Sequence, residues 1–279
     1  MAQQQEIEIS FFESGYCTAH ASIADPVNGK GKCRFYAIWA LLKHPEKGYL
    51  LFDTGYSKRF FEATGNFPDR IYRWATPVTI DENESAAKIL ERRGIRPEQI
   101  NYVIVSHFHG DHICGLKDFP SATFICSESS FNQMNSCTGI SAVSKGILKE
   151  LIPEDFNRRV QFIENIGSPC QREKGPLMYD LFGDGTIGVI LLPGHARGML
   201  GFVARCDGKL FCFATDASWS RSTWIKRILP RRIVKLFFDS WNDFIGTQEE
   251  LRSFQNENPD AIVLFTHCPE TLKYVKSRV

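Results

Sequence analysis

The sequence predicts an α/β fold in which two halves, each strands first and helices after, pack sheet to sheet with helices outside, a four-layer αββα sandwich. Two observations predict it. Strand-like apolar runs are followed by a helix and a further strand, and the order strands, helices, strand then returns in the second half. The pattern also runs from near the N-terminus to the last strand without an internal repeat or a low-complexity tract, so residues 1–279 read as a single domain.

Strand-like runs open the chain at Ile7–Phe12, Arg34–Leu42 and Tyr49–Phe52, the last two joined by the hairpin-like stretch at 43–48 and the third ending in Asp53-Thr54-Gly55. Residues 56–80 are aromatic-rich and irregular, with Pro68 and Pro77 breaking any long helix. A helix is expected over Asn83–Arg93, where Ala86, Ala87, Ile89 and Leu90 form an apolar stripe and Gly94 is placed to cap it. Buried strands follow at Tyr102–Val105 and Ala122–Cys126, with a helix starting over Glu128–Met134. Residues 135–180 are poorly patterned. The β signal resumes at Thr186–Leu192, Leu200–Cys206 and Lys209–Ala214. Helices are expected near Ser222–Asp239, interrupted at Pro230, and at Thr247–Asn256, before a last strand Ala261–Phe265.

Composition narrows the functional class. Thirty-three basic residues against 32 acidic ones leave a net charge of +1, which gives no global field to recruit a polyanion and argues against a nucleic-acid partner. The N-terminus shows no export signal and no run of apolar residues could span a membrane. Nine cysteines without a Cys-x-x-Cys pair read as reduced thiols in a cytoplasmic protein, most of them small core residues such as Cys126 and Cys212.

The chemistry is concentrated in Val105-Ser-His-Phe-His-Gly-Asp-His-Ile-Cys-Gly115. His107, His109, Asp111 and His112 fall within six residues directly after an apolar strand, and three of the chain's seven histidines share that hexapeptide. Imidazole with carboxylate suits zinc, iron, manganese or cobalt better than an all-oxygen ion. His195, Asp216 and His267 each lie just past the C-terminal end of another buried-looking strand, so they can converge on the same sheet edge. His20 and His44 lack that setting and read as ordinary loop histidines, and Cys114 reads as packing.

His-Phe-His-Gly-Asp-His, then Pro193-Gly-His195, a strand-end Asp and a strand-end His, with Asp53-Thr-Gly early in the chain, resembles the metallo-β-lactamase superfamily across most of the sequence. The resemblance implies the αββα sandwich and two divalent metal ions, zinc in the first place, with iron or manganese as alternatives. It implies that His107, His109 and His195 hold one ion, that Asp111, His112 and His267 hold the other, and that Asp216 bridges them. Asp53 is then expected to orient a ligand histidine, or else simply to form the turn. A metal pair would bring a shared water toward neutral pKa to attack a carbonyl or phosphoryl centre, with Asp111 orienting the nucleophile and passing a proton to the leaving group.

In layout the chain resembles the N-acyl-homoserine lactonase branch, which implies a small-molecule substrate: a carboxylic ester, a lactone or a thioester. A phosphodiesterase of the same superfamily and a mononuclear iron enzyme resembling the persulfide dioxygenases are the alternatives. The lactonases place a tyrosine three residues after the bridging aspartate, where this chain has Trp219, an indole that donates a hydrogen bond but is no phenol. Trp219, Trp224 and Phe108 are expected in the substrate pocket, and the aromatic-rich stretch from Tyr56 to Trp74 is a second candidate wall. Residues 219–257 are expected to form a helical lid or cover. Within them, the basic and aromatic residues of 219–241 read first as a solvated amphipathic face, then as a lid, and third as a membrane-surface contact. A homodimer would be unsurprising for such a family.

Overall fold

Leu50 and Phe52 face one way along their strand and Leu51 the other, and all three are fully buried. A strand covered on both faces belongs to an inner layer, with a second sheet on one side and helices on the other. The computed structural model describes residues 6–170 and 174–277; residues 1–5, part of the stretch read for an export signal, lie outside it.

The strands are β1 Glu8–His20, β2 Lys32–His44, β3 Gly48–Phe52, β4 Val78–Thr79, β5 Ile100–Ile104, β6 Thr123–Cys126, β7 Val160–Phe162, β8 Ser168–Cys170, β9 Met178–Asp180, β10 Ile187–Leu191, β11 Leu200–Cys206, β12 Lys209–Phe213 and β13 Ile262–Leu264. A seven-stranded sheet runs β4-β1-β2-β3-β5-β6-β7, antiparallel on the β1 side and parallel from β3 to β7. A six-stranded sheet runs β13-β12-β11-β10-β9-β8, with only β12 and β13 parallel.

Phe11, Ile38, Phe52 and Ile104 of the first sheet meet Val189, Phe202, Phe211 and Phe213 of the second in one buried core. The outer face of the first sheet packs Trp39, Leu51 and Val103 against Ala86, Ile89 and Leu90 of the helix Ala86–Arg92. On the far side, Val203, Cys212 and Val263 pack against Leu251 and Phe254 of the helix Trp241–Glu257. The four layers expected from the sequence are therefore present, as is the hairpin from β2 to β3.

Several elements differ from expectation. β1 continues to His20 through a bulge between Glu13 and Tyr16, because Ser14 and Gly15 interrupt the apolar run without ending the pairing with β2. Over 222–239 only a turn and a half of helix, Arg221–Ile225, and a 3-10 stretch, Arg232–Leu236, form; Arg227 at φ +56° and Pro230 separate them. The helix Trp241–Glu257 begins six residues before Thr247, capped by Ser240, and a C-terminal helix, Pro269–Lys276, buries Leu272 and Val275 against the inter-sheet core. His44 is no loop residue: it ends β2 fully buried, with Nδ1 accepting from the Glu46 and Lys47 amides and Nε2 2.8 Å from Asp184. No helix among the described residues is long and apolar enough to cross a membrane.

Candidate metal centre

Five strands deliver the site from their C-terminal ends. Asp53 follows β3, the histidine-rich segment follows β5, and His195, Asp216 and His267 follow β10, β12 and β13. Two of these exits are strained. Asp53 has φ +62° and Thr215, directly before Asp216, has φ +43°, a costly conformation for a β-branched residue. Neighbours hold both: the Asp53 amide donates to the Ile104 carbonyl at 2.9 Å, and Thr215 donates its hydroxyl to the Leu200 carbonyl and accepts from the Thr266 amide, each at 3.1 Å. Gly194, at φ +128°, passes so close to the backbone of Phe244 that a side chain there would overlap it.

The seven side chains expected from the sequence are brought together. His107, His109 and His195 form one cluster, Asp111, His112 and His267 another, and His107, His112 and Asp216 a third that joins them, each with atoms within 4.8 Å of one another. Asp216 Oδ2 lies 2.9 Å from His267 Nε2 and 3.2 Å from His195 Nε2, while its Oδ1 stands 3.6 Å from His112 Nε2. Asp111 Oδ2 is 3.3 Å from His267 Nε2 and 3.7 Å from His112 Nε2. Outside this ring, Asp53 Oδ2 is 2.7 Å from His112 Nδ1, Ser106 Oγ is 3.0 Å from His107 Nδ1, and the Tyr36 carbonyl is 2.8 Å from His267 Nδ1. Asp53 also accepts from the Ser106 amide and hydroxyl at 2.8 and 2.7 Å. It thus does more than form a turn.

Electrostatics divide the cluster. Burial pushes His107 and His195 well below the ordinary imidazole range and His109 to about 4, which leaves them neutral with a lone pair to offer. Burial works on His112 and His267 in the same direction, but Asp111, Asp53 and Asp216 hold His112 up, and Asp216 and Asp111 hold His267 up. Asp216 stays ionised despite its burial because His267 and His112 face it.

Four buried atoms at the centre find no hydrogen-bond partner: His107 Nε2, His112 Nε2, His195 Nδ1 and Asp216 Oδ1. His112 Nε2 faces the carboxylates of Asp111 and Asp216 at 3.7 and 3.6 Å without hydrogen-bonding either, and buried polar atoms left in that way cost free energy that a divalent cation among them would recover. The donor set of imidazole and carboxylate fits divalent ions such as zinc, and the structure supplies partners behind three of the histidines. The residues present therefore fit a metal pair.

The centre forms the floor of a cavity of about 520 Å³. Its walls are mostly apolar: Phe35 from β2, Tyr56 and Tyr72 from the segment after β3, Val143 from the helix Gly139–Ser144, and Trp219 and Phe238 from the segment after β12. The stretch between Tyr56 and Trp74 does supply a wall. Of the three residues expected in the pocket, Trp219 alone lines this cavity, edge-on to His195 at 5.9 Å and to Phe238 at 5.6 Å. Trp224 is turned into the outer core against Phe265, since the turn Arg221–Ile225 points its apolar side at the sheet. Phe108 alternates away from its histidine neighbours and packs on Phe156. Tyr72 was not singled out by sequence; its phenol lies beside Asp111 and the Gly110 amide. Cys114 is fully buried in the outer core of the first sheet.

Residues 33–130 match the family described as the metallo-beta-lactamase superfamily. The N-acyl homoserine lactonase AttM of Agrobacterium fabrum is 27% identical over 195 residues, a match that spans 68% of this chain and 66% of that enzyme, just under two thirds of its length. The AttM of Azorhizobium caulinodans is 27% identical over 235 residues, 82% of this chain and 81% of that one. Among solved structures, AiiA of B. thuringiensis with N-decanoyl-L-homoserine at its active site superposes with a TM-score of 0.73 at 17% identity, over 97% of both chains, which bears on the fold alone.

Proposed function

This chain carries a metallo-β-lactamase domain homologous to N-acyl homoserine lactonases, and from that premise we propose that it is a dinuclear metal-dependent hydrolase that opens acylated lactones and related carboxylic esters. One observation carries the proposal: seven ligand-type side chains cluster with four unpartnered buried atoms among them, and five of the seven, His109, Asp111, His195, Asp216 and His267, form the floor of a largely apolar cavity. His107, His109 and His195 would hold one ion, Asp111, His112 and His267 the other, with Asp216 shared. Zinc is the ion this set suits first, with iron and manganese behind it.

Two divalent ions held there would supply a water that ionises near neutral pH and a positive field for an oxyanion on the substrate carbonyl. The chain's own residues do the rest. Asp53, Ser106 and the Tyr36 carbonyl fix the ring orientation of His112, His107 and His267. Asp111, which both faces the cavity and lies 3.3 Å from His267 Nε2, is placed to take a proton from the nucleophile and hand it to the leaving alkoxide. Phe35, Val143 and Phe238 exclude water and take an acyl chain. Both sheets share the core beneath the site, which supports one domain, with residues of 219–238 as its cover and the helix Trp241–Glu257 as part of its outer layer, and nine free cysteines suit a reducing compartment such as the cytoplasm.

The test is elemental analysis together with hydrolysis of an acyl homoserine lactone, a simple carboxylic ester and a phosphodiester, before and after chelation. Close to two ions per chain, with lactone opening lost on chelation and restored by metal, is the expected result. Preferential phosphodiester cleavage would remove the lactonase reading, and a single iron with oxygen-dependent turnover of a persulfide would remove the dinuclear hydrolase.

A further inference from the structure

Four of the side chains that line the cavity also stand in solvent at its mouth: Ile140 is 62% exposed, Phe237 58%, Ile233 55% and Ile71 36%. Beside them in the chain, Trp74 and Leu236 are exposed to 69% and 71%. Apolar residues scattered singly over a surface need no explanation. Four large ones at the mouth of one cavity and two more beside them in the chain, drawn from three separate segments, mark an interaction surface.

The same segments are charged with one sign. Residues 70–75, 139–144 and 231–237 carry Arg70, Arg73, Arg231, Arg232 and Lys235 and no acidic residue, on a chain whose net charge is only +1. All five cations are exposed. The Arg73 guanidinium lies over the ring of Phe61 at 4.6 Å and the Lys235 ammonium over that of Trp241 at 4.7 Å, so both charges rest on aromatic rings while their side chains stay exposed.

We propose that the cavity mouth docks on an anionic lipid surface, with Trp74, Ile140, Ile233, Leu236 and Phe237 entering the interface and the five cations meeting headgroup phosphates. A bilayer answers both halves of the pattern at once, apolar depth and negative potential. A second copy of the chain fits the charge less well: apposed through this face, five cations would meet five, and of the residues that directly flank the three segments in the sequence Asp69 is the one carboxylate. A substrate whose acyl chain is dissolved in the bilayer would then pass into the apolar cavity without crossing water. Docking rests on the rim alone and is read without turnover, so it stands or falls separately from the hydrolase reading.

The experiment is co-sedimentation of the full chain with vesicles of phosphatidylglycerol and phosphatidylcholine, compared with phosphatidylcholine alone, at low and high salt. The expected result is binding to the anionic vesicles that weakens with salt, with a blue shift of tryptophan emission that Trp74→Phe diminishes. Each cation removed near such a surface weakens partitioning roughly five-fold, so Arg231→Gln with Arg232→Gln should cost about 25-fold. Leu236→Ser should weaken binding further, while replacement of both arginines by lysine should retain it. Far-UV circular dichroism and thermal melting confirm that these variants are folded. Failure to bind anionic vesicles, or binding indifferent to all these substitutions, overturns the proposal. So does a concentration-dependent dimer in sedimentation velocity that Leu236→Ser dissolves, which would make this face a contact between copies.

Discussion

Asp53 occupies a left-handed turn, at φ +62°, and spends both carboxylate oxygens on the site: one accepts from the Ser106 amide, the other faces the Ser106 hydroxyl and His112 Nδ1. Asn tolerates that backbone conformation, so Asp53→Asn removes the negative charge without straining the turn. Partners behind a metal-bound histidine typically tune metal affinity or activity by 10–100-fold. Asp53→Asn is therefore expected to weaken metal binding by about that factor, read by competition with a chelator, while the thermal melt of the metal-loaded protein keeps a single transition. A variant with unchanged metal affinity would make Asp53 a turn former only. At this scale the sequence was most legible for residues whose chemistry is rare: three histidines in six positions admit few other readings. It was least legible for the pocket. Phe108 and Trp224 sit next to site residues in the chain, yet alternation along the loop and the facing of a short helix turn them into the core. Tyr72 comes from a segment without period or motif.

At the scale of elements, the helix Trp241–Glu257 ties the outer layer to the centre. Its Ser240 hydroxyl accepts from the Asp243 amide at 3.2 Å, the Thr247 hydroxyl donates to the Pro193 carbonyl at 2.7 Å, and Gln248 donates to the Ala217 carbonyl beside Asp216. Replacing a serine cap by alanine costs ~1 kcal/mol. Ser240→Ala is expected to lower the unfolding free energy by about that amount in urea denaturation, with the slope unchanged. The first turns of this helix are not legible in the sequence because they hold Trp241, Phe244, Ile245 and Gly246, poor helix formers, and Phe244 is placed by its close approach to the Gly194 turn. The opposite error occurred over 222–239, where apolar spacing suggested helices. There Pro230 and a left-handed Arg227 hold the chain in turns, leaving Leu236 and Phe237 in solvent. The strand β11 coincides with its expected bounds because burial on both faces leaves a run of buried residues from Leu200 to Ala204, with only Arg205 exposed before Cys206.

For the molecule as a whole, the two sheets do more than share a core. Their strand ends meet at one edge, and the cavity above that edge is walled by the first half through Phe35, Tyr56 and Val143 and by the second through Trp219 and Phe238. The layer order could be read from the sequence because the order of strands and helices allows it and the histidine motif resembles a superfamily built that way. The cavity could not, because it depends on how segments about 180 residues apart close on each other. Its volume, about 520 Å³, and its apolar walls predict how the enzyme discriminates among substrates. Each methylene taken from water into such a space contributes about 0.8 kcal/mol, roughly a four-fold gain in kcat/KM. Activity on acyl lactones should therefore climb with chain length at up to that rate and level off once the chain reaches the rim at Ile140 and Phe237. Val143→Phe, in one wall of the cavity, fills part of the space the chain needs. It should cut kcat/KM for the longer substrates by an order of magnitude or more while leaving the shortest nearly unchanged, since on the proposed reading the lactone ring would meet the metal ligands Asp111 and His267 and only the acyl chain would need the space along the wall. Equal losses at every chain length would mean that Val143 acts through the metal centre. No dependence on chain length in the unaltered enzyme would mean that the cavity does not hold the acyl group.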